Sequence, residues 1–156
     1  MREKRKRWRN YVDAILVAVT LPLWLPLIVL VVFLRTLYGL TLYLAVWFTW
    51  LPRGKDVLFV YSDSPIWHGY MMNEVLPVVR ERAVVLNWSE RKQWRHTLAV
   101  LMFRFLAGDH AFNPMVVLFR PLRFAQQFRF WQPFKLYKRG MPEAVEQMRQ
   151  DLLMRL

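Results

Sequence analysis

The chain has 156 residues, of which 56% are hydrophobic, and it carries a formal net charge of +12. This length suits one domain with a membrane anchor. The sequence contains no cysteine, which excludes disulfides, thiolate catalysis and metal centres held by cysteine. The basic balance is compatible with nucleic acid, anionic lipid or an acidic protein as a partner.

A basic tail precedes a long apolar block. Residues 1–9 carry six Lys or Arg against one Glu, whereas residues 11–52 contain only Asp13 and Arg35 as charged side chains. Residues 14–34 are long enough to cross a hydrocarbon core of about 30 Å at about 1.5 Å per residue. We therefore predict a basic cytoplasmic tail over 1–10, a membrane anchor over 11–52 and a small α/β domain over 53–156.

The topology of the anchor has three alternatives. Residues 14–34 form one span, or they pair with the shorter apolar run at 36–51 as a hairpin around Arg35, or they break at Pro22 and Pro26 and return. The prolines are either tolerated kinks or a functional break. Tryptophan is typical of membrane interfaces, and the anchor contains three such residues: Trp24, Trp47 and Trp50.

Basic residues flank both ends of the apolar block. Arg53 and Lys55 follow it directly, and residues 53–156 carry 16 basic against 9 acidic side chains. By the positive-inside rule both flanks are cytoplasmic. This favours an even number of crossings, or none, in a membrane of the bacterial inner-membrane type.

The first part of the anchor also shows a family resemblance. A basic residue at Arg9 precedes Asp13, an apolar run follows, and Pro26 lies thirteen residues after the aspartate. This pattern resembles the N-terminal membrane element of monotopic polyprenol-phosphate phosphoglycosyl transferases. The resemblance implies a re-entrant helix broken at a proline and a cytoplasmic domain. The catalytic Asp–Glu pair of that family has no match in residues 53–156, so the resemblance implies no activity.

Strand and helix patterns alternate along residues 53–156. Short apolar runs predict strands at 56–61, 82–87 and 115–119, with a fourth within 128–137. Helices are predicted at 65–80, distorted at Pro77, then from Ser89 to Gly108, and from Pro142 onwards. The alternation predicts a small Rossmann-like domain with a mostly parallel sheet.

The loop after the first predicted strand carries the candidate chemistry. In such a fold this loop binds ligands, and Asp63, His68 and Glu74 are candidates for an acid–base or metal cluster. The alternative is that Ser62 and Asp63 make turn hydrogen bonds while His68 lies on the surface. No glycine-rich phosphate loop is present, and we expect neither a cofactor nor a bound metal.

A basic and aromatic stretch at 119–139 is the candidate interface. Such a mixture is found on single-stranded nucleic-acid platforms, at membrane surfaces and at protein docking sites. The anchor favours an anionic lipid surface or membrane protein subunits over nucleic acid, and the alternative is that half of the aromatics fill the core. The candidates are Arg120, Arg123, Phe128, Arg129, Phe130, Trp131, Phe134 and Tyr137.

Two functional hypotheses follow from the sequence. The first is a non-catalytic accessory or structural subunit that docks on a larger integral membrane protein complex, for example a respiratory or photosynthetic one. The second is an enzyme, or the partner of an enzyme, in lipid-linked sugar transfer. The missing catalytic constellation favours the first.

Overall fold

The computed structural model describes residues 2–107 and 114–156 and divides into two compact units, Met1–Thr41 and Leu42–Leu156. The second unit is mixed α/β, and it starts eleven residues before the predicted domain boundary at residue 53. The helices are α1 (Arg2–Thr49), α2 (His68–Tyr70), α3 (Leu76–Val79), α4 (Leu98–Ala107), α5 (Trp131–Tyr137) and α6 (Glu143–Leu153). The strands are β1 (Val57–Tyr61), β2 (Ala83–Asn87), β3 (Met115–Leu118) and β4 (Gln126–Arg129).

Helix α1 is continuous through Pro22 and Pro26. Each proline removes one backbone hydrogen bond, but the bonds of the flanking residues continue the helix, as they do in many membrane helices. Of the alternatives left open by the sequence, neither the break at Pro22 and Pro26 nor the turn at Arg35 occurs in α1. The hairpin and the re-entrant helix are therefore not observed.

The exposed part of α1 is apolar around most of its circumference, and Arg35 is its charged residue. Over residues 24–40 most large side chains are about half exposed, for example Trp24 at 58% and Phe33 at 61%. Thr36 and Thr41 donate their hydroxyls to backbone carbonyls four residues earlier, at 2.8 and 2.9 Å, so the helix satisfies these polar groups itself. Among the described residues, Trp24–Arg53 is the one helical segment long and apolar enough to span a membrane.

The end of α1 belongs to the core of the second unit. Leu42, Val46 and Trp50 recur every fourth residue, which places them on one helix face, and they are 5%, 0% and 8% exposed. Trp47 is partly buried against the same cluster. One face of the apolar run at 36–51 thus packs in the core, whereas Leu37, Leu40 and Phe48 are exposed. Trp50 is therefore a core residue rather than an interfacial tryptophan, and Trp47 is only partly buried.

The sheet has the order β2-β1-β3-β4. Strands β1 and β2 are parallel, with Val57 opposite Ala83 and Tyr61 opposite Asn87, whereas β3 is antiparallel to both β1 and β4. The predicted mostly parallel sheet is wrong, because β3 and β4 form a hairpin around the seven residues 119–125 and a hairpin connection joins antiparallel strands. The Rossmann-like arrangement that depended on it is not confirmed.

Several local predictions also change. The helix predicted at 65–80 is distorted as expected: α2 leads through a π-helical turn (Met71–Val75) into α3, which contains Pro77. Helix α4 begins at Leu98 rather than Ser89, because residues 88–90 form a 3₁₀ turn capped by the side chain of Asn87. The predicted helix end at Gly108 lies outside the described residues. Most of the predicted fourth strand is helix α5.

Two core clusters cover the two faces of the sheet. Alternate residues of β1 and β3 supply them, as the two-residue period of a strand requires. One cluster joins Phe59 and Leu118 to α3, α5 and α6. The other joins Leu58 and Val117 to α4 and the last turns of α1. Because both faces are covered, β1 and β3 are apolar at nearly every position.

Candidate functional site

Polar side chains gather at the carboxyl edge of the parallel pair β1–β2. Asp63 follows β1 by two residues, and Asn87 is the last residue of β2. The register pairs Tyr61 with Asn87, so the loops after the two strands start side by side. This edge is the place where the sequence analysis expected the candidate chemistry.

Asn87 links the two loops. Its amide nitrogen donates to both carboxylate oxygens of Asp63, each at 3.2 Å, and lies 3.4 Å from Oε1 of Glu90. The backbone N–H of Asp63 donates to Oγ of Ser89 at 2.9 Å. The backbone N–H of Ser89 in turn donates to Oδ1 of Asn87 at 3.0 Å. Ser89 therefore connects the loops and does not cap a helix.

His68 lies beside this network. Its Nδ1 is 3.7 Å from Oδ1 of Asp63, which is beyond ordinary hydrogen-bond range. The two side chains form an ion pair only when the imidazole is protonated. The side chains are 43% and 56% exposed, and the ring of Tyr61 lies 5.7 Å from that of His68. Burial raises the pKa of Tyr61, and the charges of Asp63 and Glu90 add to the effect.

Glu74 does not join Asp63 and His68. It lies on the π-helical turn, and its negative charge acts on Tyr70 and Arg149. No group of three or more His, Asp or Glu side chains in the described ranges is arranged to hold a metal ion.

Ser62 has a structural contact. It is 6% exposed, and its Oγ accepts a hydrogen bond from Nε1 of Trp67 at 2.9 Å. This bond fixes the turn that leads from β1 into α2. The site at the β1–β2 edge is accordingly built from Asp63, His68 and Asn87, with Ser89 and Glu90 as supporting groups.

The basic and aromatic stretch separates into buried and exposed parts. Phe128, Phe130 and Phe134 are 6%, 0% and 2% exposed. They fill the core on one face of the sheet, so the interpretation of these three residues as an interface is wrong. Arg129 donates to Oε1 of Gln127 and to the carbonyl of Leu106.

The remaining candidates of this stretch lie at the surface. Nζ of Lys135 lies 3.4 Å from the centre of the Trp131 ring, a cation–π contact. Tyr137 is 48% exposed. Arg120 donates to the backbone carbonyl of Arg155 at 2.5 Å, and Arg123 is exposed.

Sequence reasoning missed Asn87 and Glu90 at the β1–β2 edge. In the sequence, Asn87 is only a polar residue at the end of a predicted strand. Its role becomes visible when the register of β1 and β2 places it beside Asp63. The list of interface candidates from the sequence also contained neither Leu122 nor Phe124, although both side chains are exposed.

The chain matches no protein-family model, no curated protein and no solved structure.

Proposed function

We propose that the chain is a membrane-anchored, non-catalytic accessory subunit that docks on a larger integral membrane protein complex. The observation that carries this proposal is helix α1, whose last turns lie in the core of the second unit through Leu42, Val46 and Trp50. A helix built into a core holds its domain at the membrane far more closely than a flexible linker does.

The proposed topology is a single crossing. Residues 1–9 contain six Lys or Arg, whereas residues 41–60 contain only Arg53 and Lys55. The positive-inside rule counts charges close to the ends of the span, so the N-terminus is assigned to the cytoplasm. Under this proposal, a single crossing puts the second unit on the opposite side of the membrane. This proposal replaces the even number of crossings that the sequence alone favoured.

The proposed docking surface is the exposed end of α5. It consists of Lys135, Tyr137, Lys138 and Arg139, which are all exposed; we call it the α5 patch. Three exposed cations and an exposed tyrosine within five residues suit an acidic surface on a partner protein, since Arg and Tyr are enriched among the residues that anchor interfaces.

Co-purification tests the docking proposal. The tagged chain is isolated from native membranes in mild detergent, and bound proteins are identified by mass spectrometry. We expect a fixed set of integral membrane proteins, which the double variant Lys138→Glu/Arg139→Glu loses. The control Lys92→Glu/Arg95→Glu makes the same charge change at exposed positions elsewhere and should retain the set. Recovery of the wild-type chain alone, as a monodisperse species, would contradict the proposal.

A second candidate function is an enzyme, or an enzyme partner, in lipid-linked sugar transfer. The arrangement of Asp63, His68 and Asn87 at the β1–β2 edge favours it, because a carboxylate beside an imidazole is suited to moving protons. The resemblance of residues 9–26 to phosphoglycosyl transferases agrees with this substrate class, although α1 lacks the expected break.

Substitutions at the β1–β2 edge separate the two functions. If the chain is the enzyme, Asp63→Asn and His68→Ala should abolish formation of lipid-linked sugar in membranes. The control Asp151→Asn, at an exposed position on α6, should leave it intact. If the chain is an accessory subunit, neither edge variant should change the co-purified set.

A further inference from the structure

The connection between β3 and β4 holds two unusually exposed apolar side chains. Leu122 is 85% exposed and Phe124 is 89% exposed, the highest values among the large apolar residues that the structure describes. Leu122 also has a φ of +57°, a conformation that costs energy for a branched side chain. A strained backbone that presents apolar groups to solvent indicates a contact surface.

The base of this connection is firmly held. Phe119 packs edge-on against Tyr43 of α1 and against Trp50, which follows α1 directly, at centroid distances of 6.3 and 5.8 Å. The backbone N–H of Ala125 donates to the hydroxyl of Tyr43 at 3.2 Å. The ring of Phe124 touches that of Tyr43 edge-on at 6.2 Å. The tip at 120–125, which we call the β3–β4 tip, is thus fixed at its base and exposed at its end.

Cations accompany the two apolar side chains. Arg123 lies between them in the sequence and is exposed, and Arg120 opens the tip with its guanidinium on the Arg155 carbonyl. Protein segments of this composition bind anionic membranes: their apolar side chains enter the boundary between headgroups and acyl chains, and their arginines lie at the level of the lipid phosphates.

We infer that the β3–β4 tip inserts Leu122 and Phe124 into the surface of the bilayer, as a membrane contact in addition to α1. The lipid surface is chosen over a protein because Tyr43, which the tip touches, follows the exposed apolar run of α1 by only three residues in the sequence. The inference rests on the membrane anchoring in the proposed function and does not require the partner complex.

Depth-dependent quenching tests this inference. The chain has no cysteine, so single cysteines at Leu122→Cys and Phe124→Cys in the full chain take one environment-sensitive fluorophore each. The proteins are reconstituted into vesicles of phosphatidylcholine and phosphatidylglycerol in equal parts, with nitroxide on the acyl chains. Val78→Cys is the control, since its side chain is 48% exposed on the other face of the sheet. Phe33→Cys reports on α1.

We expect nitroxide lipids to quench labels at Leu122 and Phe124 several-fold more strongly than the label at Val78, with less quenching when phosphatidylglycerol is omitted. Quenching at the level of Val78 in both lipid mixtures would overturn the inference. A blue-shifted but unquenched label at the tip would also overturn it, because it would show burial against protein. Quenching at Phe33 decides separately whether α1 is in the membrane, so failure of the tip and failure of the anchor are distinguishable.

Discussion

Tyr70, Glu146 and Arg149 connect the helices on one face of the sheet. The hydroxyl of Tyr70 donates to Oε2 of Glu146 at 3.2 Å, and Arg149 donates to both oxygens of the same carboxylate at 2.6 to 3.1 Å. Burial raises the pKa of Tyr70 from 10.0 to about 12, and the charge of Glu146 adds to the effect. Hydrogen bonds from Arg149 lower the pKa of Glu146.

The raised pKa of Tyr70 predicts an alkaline loss of stability. Below pH 10.0 the tyrosine is protonated in both states, so its contribution is fully present; as pH rises towards about 12 the unfolded chain loses the proton first and stability falls. After allowance for solvent screening we expect a loss of about 1 kcal/mol that Tyr70→Phe does not show.

Urea unfolding of the detergent-solubilised chain across this pH range measures the difference. Tyr137→Phe is the control, since the side chain of Tyr137 is 48% exposed and it should behave as the wild type does. Parallel pH profiles for the wild type and Tyr70→Phe would contradict the assignment.

At the level of elements, α1 combines two environments in one helix. Over residues 24–40 its apolar side chains are exposed, whereas Leu42, Val46 and Trp50 are buried. Sequence alone did not separate these parts, because lipid and a protein core select the same apolar residue types. The part of α1 that packs in the core is distinguished only by the buried residues Leu42, Val46 and Trp50, which lie four positions apart.

We therefore expect a carboxylate to change the free energy of unfolding very differently at two nearby positions of α1, Val46 and Phe48. Val46→Asp places a carboxylate at a position that is 0% exposed, and we expect the free energy of unfolding to fall by about 3 kcal/mol or more. Phe48→Asp is the matched control, because Phe48 is 78% exposed and its replacement should cost little. Chemical denaturation of both variants in detergent makes the comparison, and equal losses would show that the last turns of α1 are not core.

The strands show how far sequence patterns reach. β1, β2 and β3 were predicted within one residue of their ends, because β-branched and apolar runs are strong local signals. Their directions were not predictable from alternation, since a helix such as α4 between two strands is compatible with either direction. The fourth strand was predicted within 128–137, and Phe128 does lie in β4. Most of the remaining residues form helix α5 instead, because Phe130 and Phe134 are buried at helical spacing.

At the scale of the whole molecule, the sequence predicted some residues of the candidate site but not all of them. Asp63 and His68 follow a predicted strand and were found from sequence, whereas Asn87 depends on the parallel register of β1 and β2. The surface of the 119–139 stretch required three-dimensional information, because core and interface use the same aromatic residues. The anchor was predicted as apolar, but the sequence left open whether Pro22 and Pro26 break the helix or are tolerated within it.

We propose that α1 crosses the membrane once and ends inside the domain that it anchors. Single cysteines at Glu3→Cys, in the basic tail, and Glu143→Cys, at an exposed position of α6, test it by labelling with a membrane-impermeant maleimide, since the chain has no native cysteine. We predict that Glu143→Cys is labelled in intact spheroplasts and that Glu3→Cys is labelled only after permeabilisation. Labelling of both positions only after permeabilisation would place the tail and the domain on one side of the membrane and would contradict the single crossing.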